Sequence, residues 1–219
     1  MQQSKTAIQI LKAAEALFSE QGFSETTMRQ ITAKADVNLA AVNYHFGSKQ
    51  GLIQAVTEKY MHPFCEYIET VVAERLISLP DRTVSINELI EMVMRALLHV
   101  RQDNEHALSM FMRLLDLSYM KNQEALRQYM VNQYHAKLEG FLALLRKDAS
   151  PMDSDEFFWR LHFLLGSMIF TLSNYHTLIA LEQQELEKTS EIEKILHRMI
   201  PVISAGFQAR SEQNYFCRL

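Results

Sequence analysis

Between Thr26 and Leu52 the chain reads TTMRQITAKADVNLAAVNYHFGSKQGL. Its helix start and stop signals fall so close together that each helix there has room for only about two turns. Thr26 or Thr27 can cap a helix, because a threonine oxygen accepts from a free N–H of the first turn. Met28, Ile31 and Ala35 then share one face. Asp36 falls where the chain must turn, and aspartate tolerates the left-handed backbone better than most residues with a Cβ. Val37 follows as a small apolar plug. Asn38 can cap a second helix over Leu39 to Phe46, Gly47 can end it, and Ser48 can cap a third. Two short helices joined by a tight turn form a helix-turn-helix pattern. On patterning alone, an ordinary helical hairpin in a bundle fits as well.

The residue identities separate the two readings. Gln21-Gly22-Phe23 ends a first helix, Ile31-Thr32 sits within the next, and Asp36-Val37 makes the turn. The string Asn43-Tyr44-His45-Phe46-Gly47-Ser48-Lys49-Gln50-Gly51-Leu52 follows. Together these resemble the N-terminal DNA-binding domain of TetR-type transcriptional regulators, over roughly the first quarter of the chain. Two positions depart from the family pattern. Asn43 replaces a tyrosine that tends to touch phosphate, and asparagine can still donate there. Asp36 replaces the turn glycine at little backbone cost.

Composition fits a helical protein. Among 219 residues there are 6 glycines and 4 prolines, so long helices are expected, and the hydrophobic share of 48% supplies ample core. The net charge of −4 argues against a general nucleic-acid coat protein, so DNA work needs a local basic face. Lys5, Lys12, Arg29, Lys34 and Lys49 can supply it. The start, MQQSKTAIQ, lacks the apolar core of a signal peptide, and no uncharged apolar run is long enough for a membrane span. Cys65 and Cys217 are far apart and suggest no disulfide framework. A reducing cytoplasm is the expected compartment, with no membrane partner and no cofactor.

The rest of the chain reads as helix throughout. One helix is expected from Ser4 or Thr6 to Gln21. Another runs from Ser48 to Leu79-Pro80, with Pro63 as a kink or an interruption. Further helices are expected from Ser85 or Asn87 to Arg101, Asn104 to Tyr119, and Asn122 to Arg146. Ser150-Pro151 breaks the chain. A long apolar helix from Ser154 or Asp155 to Leu181 and a last one from Ser190 to Gln208, bent at Pro201, complete the set. The expected fold is all-α: a three-helix DNA-binding head over residues 1–50 on a helical effector-binding and dimerisation body over 51–219.

In such a head the second helix of the motif lies in the major groove, with its N-terminal residues near base edges. Here these are Asn38, Leu39, Ala40 and Ala41, suited to thymine methyl groups more than to hydrogen bonding. Arg29 is the candidate for a bidentate guanine contact. Thr27, Asn43, Tyr44, His45 and Lys49 are candidates for phosphate or sugar. Blander roles stand beside these: Tyr44 packing over the head, His45 capping the short helix, Phe46 in the core, Lys34 as a solvated charge.

One short helix reads few base pairs, so a palindromic double-stranded operator and a homodimer are expected. Phe157-Phe158-Trp159, Phe163-Leu164-Leu165 and Met168-Ile169-Phe170 cover more than one helix face, as do Ile195-Leu196 and Met199-Ile200 in the last helix. Such breadth calls for a partner as well as a core. The resemblance implies the same, since TetR-type regulators dimerise through a four-helix bundle. For the effector, the Met- and Phe-rich body suggests an apolar tunnel, with core packing as the bland reading. The candidate residues are Met110, Phe111, Arg113, Phe158, His162 and Phe163. Arg113 can pair with Asp116 three residues on, or meet an acidic ligand.

A narrower resemblance runs through both parts. Val37 to Lys49, Phe111-Met112-Arg113-Leu114-Leu115 and Phe158-Trp159-Arg160-Leu161-His162-Phe163-Leu164-Leu165-Gly166 are similar to the PsrA-type TetR regulators. That implies repression of fatty-acid metabolism genes, relieved by a long-chain fatty acid or acyl-CoA. A repressor of an efflux or other operon answering a different hydrophobic molecule shares the same head, and a helical adaptor without DNA binding is a third reading. An enzyme is not expected: HExxH, CxxC, G-x-S-x-G and Gly-rich phosphate loops are missing, so no catalytic or metal residues are named.

Overall fold

The computed structural model describes residues 4–79, 83–101 and 106–210. Ten α-helices account for the secondary structure among these: α1 (Lys5–Gln21), α2 (Met28–Ala35), α3 (Leu39–Phe46), α4 (Lys49–Ser78), α5 (Ile86–Arg101), α6 (Ala107–Tyr119), α7 (Glu124–Asp148), α8 (Ser154–Ser173), α9 (Tyr175–Leu186) and α10 (Ile192–Gln208). The fold is all-α, as the sequence predicts. Pro80, Asn104 and Cys217, which entered the sequence reading, lie outside the described residues.

The first three helices form a head around Ile10, Phe18, Ile31, Val42 and Leu52, all fully buried. Each short helix is fixed by its own termini. Thr27 accepts from Gln30 N–H while the Gln30 side chain accepts from Thr27 N–H, a reciprocal capping box. Asp36 closes α2 in the left-handed conformation at φ 52°, as expected for the turn. Asn38 accepts from Ala41 N–H to start α3, and Gly47 at φ 71° ends it. Ser48 then accepts from Gly51 N–H to start α4. Gly51 is sterically required, because a Cβ there would overlap the Phe46 carbonyl oxygen.

α4 runs 30 residues from the head into the body. Pro63 lies inside it, so of the two expectations, a kink or an interruption, the interruption does not occur. The buried stripe of Tyr60, Met61, Cys65, Ile68 and Val72 holds the helix across the lost hydrogen bond. Pro201 is likewise inside α10. In the body, α4 packs on α5 and α7, α6 on α8, and α10 on α5. Cys65 is fully buried, and burial pushes its thiol up to about 12, which makes it an inert core residue at neutral pH.

The long apolar helix expected to reach Leu181 is two helices. α8 ends at Ser173, and α9 leaves at 73° to it. The break falls at Asn174, whose side-chain amide donates to the Phe170 carbonyl oxygen at 2.9 Å. Taken singly, none of the described helices is long and apolar enough to cross a membrane.

Candidate DNA interface and effector cleft

α3 is held from behind and open in front. Val42 is fully buried against the head core, whereas Leu39 and Ala40 are exposed and Ala41 is half-buried. Tyr44 is 85% exposed, so it does not pack over the head. Its ring stands edge-on to that of His45 at 5.1 Å. Asn43 is exposed beside it, and Phe46 is half-buried against the core, as expected. His45 is half-buried with Nε2 3.4 Å from Ser4 Oγ, which ties α3 to the start of α1.

Three proposed contact residues are already engaged within the head. The Asn38 side-chain oxygen caps α3 at 2.8 Å, leaving its amide hydrogens for other partners. The Thr27 hydroxyl donates to Gln30 Oε1 at 2.8 Å. Lys49 donates to the Ser24 carbonyl oxygen at 3.4 Å, bracing α4 against the loop before α2. Burial pulls the Lys49 ammonium below its ordinary range, and Glu25 opposes that shift. Lys34 pairs with Glu20 at 2.9 Å, a solvated surface charge. Arg29 is different: it is exposed, and its guanidinium makes no hydrogen bond or ion pair among the described residues, although its carbonyl oxygen accepts from the Thr32 hydroxyl at 2.9 Å. Lys5 and Lys12 lie on α1, and Lys12 lines a groove between α1 and α4.

In the body, the cavity nearest the expected effector residues is a cleft of about 560 Å³ between α6 and α8. That is within the usual 300–1,000 Å³ range for small-molecule sites. Arg113, Asp116, Tyr119, His162, Ser173 and Asn174 give it a polar side, and Leu165, Ile169 and Phe170 an apolar one. It is therefore amphipathic rather than the apolar tunnel expected. Only two of the six candidate effector residues, Arg113 and His162, line it. Met110 and Phe111 are core instead; Phe111 packs between the rings of Tyr60 and Phe64 at 6.3 and 5.4 Å. Phe158 and Phe163 are exposed on α8. The sequence could not place them, because α8 is apolar on several faces at once. The cleft's Ile169 and Ser173 were missed for the same reason.

Arg113 does not pair with Asp116. Its guanidinium donates to the Ser19 carbonyl oxygen in the last turn of α1, at 3.1 Å. His162 donates through Nδ1 to the Phe158 carbonyl oxygen at 2.7 Å, which assigns the proton to that nitrogen because a carbonyl only accepts. Arg160, the one arginine in the apolar α8, is buried. It pairs with Glu156 and donates to the carbonyl oxygens of Gly206, Phe207 and Ala209, closing the C-terminal end of α10. The outer faces of α8 and α10 remain uncovered: Trp159, Phe163 and Phe170 are exposed, and Val202 is 72% exposed.

Comparison with known proteins fits this geometry. Residues 10–56 match the family described as bacterial regulatory proteins, tetR family, and residues 91–206 match the tetracyclin repressor-like C-terminal domain. The chain belongs to the TetR family. By family it is a TetR-type regulator. The HTH-type transcriptional dual regulator CecR of Shigella flexneri is 32% identical over 143 residues, covering 62% of each chain. The probable HTH-type transcriptional regulator YttP of Bacillus subtilis is 35% identical over 65 residues, covering 30% of this chain and 31% of YttP. The matched stretches thus span less than two thirds of these relatives. The fatty acid degradation regulator FadR of Bacillus halodurans shares the fold, with a TM-score of 0.60 at 14% identity, covering 96% of this chain and all of that one. Among the described residues, no group of three His, Cys, Asp or Glu is placed to hold a metal ion.

Proposed function

We propose that this regulator is a homodimeric repressor of fatty-acid metabolism genes, of the PsrA type, with residues 1–50 as its DNA-binding head and 51–219 as its effector and dimerisation body. The α3 helices of a dimer enter successive major grooves of a palindromic operator. Leu39, Ala40 and Ala41 meet base edges, Arg29 reads a guanine, and Asn43, Tyr44 and His45 hold the backbone. Asn38, Thr27 and Lys49 mainly fix the head that presents them. The observation that carries this reading is the unpaired, exposed Arg29 beside an α3 whose outer residues are bare and whose inner residue, Val42, is locked.

Dimerisation uses the bare apolar stripe of Trp159, Phe163 and Phe170 on α8 with Val202 on α10. The effector is a long-chain fatty acid or its CoA thioester in the α6–α8 cleft. The apolar wall suits an acyl chain, and Arg113 suits a carboxylate or phosphate. Release of DNA requires that the ligand bind the two states of the protein unequally.

The test is fluorescence anisotropy on DNA from the gene's own upstream region, at fixed salt, with and without oleate and oleoyl-CoA. Specific binding lost on adding one of them is expected. Tight binding indifferent to both would leave the regulator intact and shift the effector to another hydrophobic molecule, as in an efflux repressor. Arg29→Ala is expected to cost about 1–3 kcal/mol of specific binding. Unchanged binding in that variant would remove the guanine assignment.

A further inference from the structure

The last four carbonyl groups of a helix have no partner within it, and the negative end of its dipole lies there. In α1 these belong to Phe18, Ser19, Glu20 and Gln21. The Phe18 carbonyl oxygen accepts from Gly22 N–H. The Ser19 carbonyl oxygen accepts from Arg113, which is 94 residues away and on the body. A body residue thus caps a head helix. The same residue lines the α6–α8 cleft, beside Asp116, Tyr119 and His162.

We propose that Arg113 is the positioning residue through which the cleft controls the head, and that the controlling ligand carries an anionic headgroup. This rests on the cleft being the effector site. An arginine bound to a carboxylate or phosphate forms two parallel charged hydrogen bonds, stronger than its single bond to a neutral carbonyl. An anion in the cleft therefore takes the guanidinium from Ser19. The end of α1 loses its cap and its favourable charge, and the head loses one of its ties to α6. Asp116 adds a negative charge to the cleft, which disfavours an anion there unless Arg113 turns to meet it. Ligand entry and uncapping are in this way one event. A second path from α6 remains in place: Phe111 stacks on Tyr60 of α4, and the Tyr60 hydroxyl donates to Glu15 of α1 at 3.4 Å. Loss of the Arg113 tie thus loosens the head without detaching it.

Hydrogen exchange on the full-length protein tests this without requiring an operator. Arg113→Ala should raise amide exchange at Gly22, Phe23 and the last turn of α1, while α3 and α10 keep wild-type protection. Arg95→Ala, which breaks an exposed pair with Glu91, serves as the control and should leave α1 unchanged. Oleate should raise α1 exchange in the wild type towards the Arg113→Ala level, and methyl oleate, which lacks the charge, should not. On upstream DNA, Arg113→Ala should bind about 5- to 150-fold more weakly without any lipid, the usual span of a coupling between sites.

Wild-type exchange at the end of α1 in Arg113→Ala overturns the proposal. So does oleate that releases the protein from upstream DNA yet leaves α1 exchange unmoved; the fatty-acid reading would then survive alone. Oleate that does not bind at all would sink the fatty-acid reading, and the Arg113→Ala exchange result would still decide whether the cap restrains the head.

Discussion

The two halves of the molecule hold their helices by different means. At the N-terminal end, Ser4, Thr27, Asn38 and Ser48 each cap the helix that follows through their own side chains, and Ser85 with Glu88 does the same for α5. From α6 onward no cap residue does so: His106, Gln123, Asp153, Asn174 and Glu191 make no such bond. The body instead uses donors from distant points of the chain, as Arg160 does for the end of α10 and Tyr175 for the Ser190 carbonyl oxygen. The contrast follows from length and task. Helices of 8 residues such as α2 and α3 are far below the length at which a helix persists by itself, so local locks must define them. Body helices are set by packing, and packed helices can shift against one another to admit a ligand while keeping their own hydrogen bonds.

Substitutions can break this contrast at several levels. The largest loss is expected from Arg160→Met, which removes the donor to three carbonyl oxygens and leaves Glu156 without its partner. A cost of about 3–5 kcal/mol, read by urea denaturation, matches the loss of one member of a buried ionic network. An unchanged midpoint would show that packing alone closes α10. Gly51→Ala comes next. The Cβ must push against the Phe46 carbonyl, and overpacking of this kind costs about 1–3 kcal/mol. It should damage DNA binding more than global stability, because the strain sits where α3 meets α4.

Cap deletions then test the comparison directly. Thr27→Ala should cost about 1 kcal/mol, whereas Gln123→Ala should stay within about 0.5 kcal/mol, because the Gln123 side-chain oxygen is buried without a hydrogen bond. Equal losses in thermal melts would erase the distinction between the halves.

The smallest effect concerns pH. The hydrogen bond from Arg75, then that from Ser85 N–H, holds the Glu88 carboxyl below its ordinary range. A lowered folded-state value means that this stabilisation is fully present above the unfolded-state value and fades as pH falls through the folded one. Glu88→Gln should therefore flatten the acid limb of the stability profile slightly, as followed by circular dichroism. An acid limb identical to wild type would count against it.

The same division explains what the sequence revealed. α3 was legible to the residue, because Asn38 and Gly47 mark both ends chemically. The left-handed Asp36 was legible for the same reason. The boundary between α8 and α9 was not: no glycine or proline marks it, and the bend at Asn174 is a tertiary choice. At Pro63 the sequence left a kink or an interruption open, and the helix is uninterrupted because burial around Tyr60 and Cys65 outweighs one missing N–H. Of the candidate DNA residues, the exposed group around Arg29 and Tyr44 was visible from type and spacing. The caps made by Thr27 and Asn38 were legible too, whereas the bond from Lys49 to the Ser24 carbonyl oxygen needed coordinates. Arg113 stood out as a charge in an apolar helix, but pairing it with Asp116 was the local guess. Its partner, Ser19, is a backbone oxygen far away in sequence, which leaves no trace in residue type.

One dimension of α4 sets the scale of what any ligand must achieve. At 30 residues and about 1.5 Å per residue, it is a rod of about 45 Å. A tilt of about 5° at the body end swings the head end by about 4 Å. That is about the spacing of one base pair, which is 3.4 Å along each strand. Two such rods turning oppositely in a dimer would shift the reading heads by about two base pairs. In the proposed dimer the fit to successive grooves would therefore depend on angular tolerances of a few degrees, and Pro63, with its missing hydrogen bond near mid-length, is where the rod resists bending least.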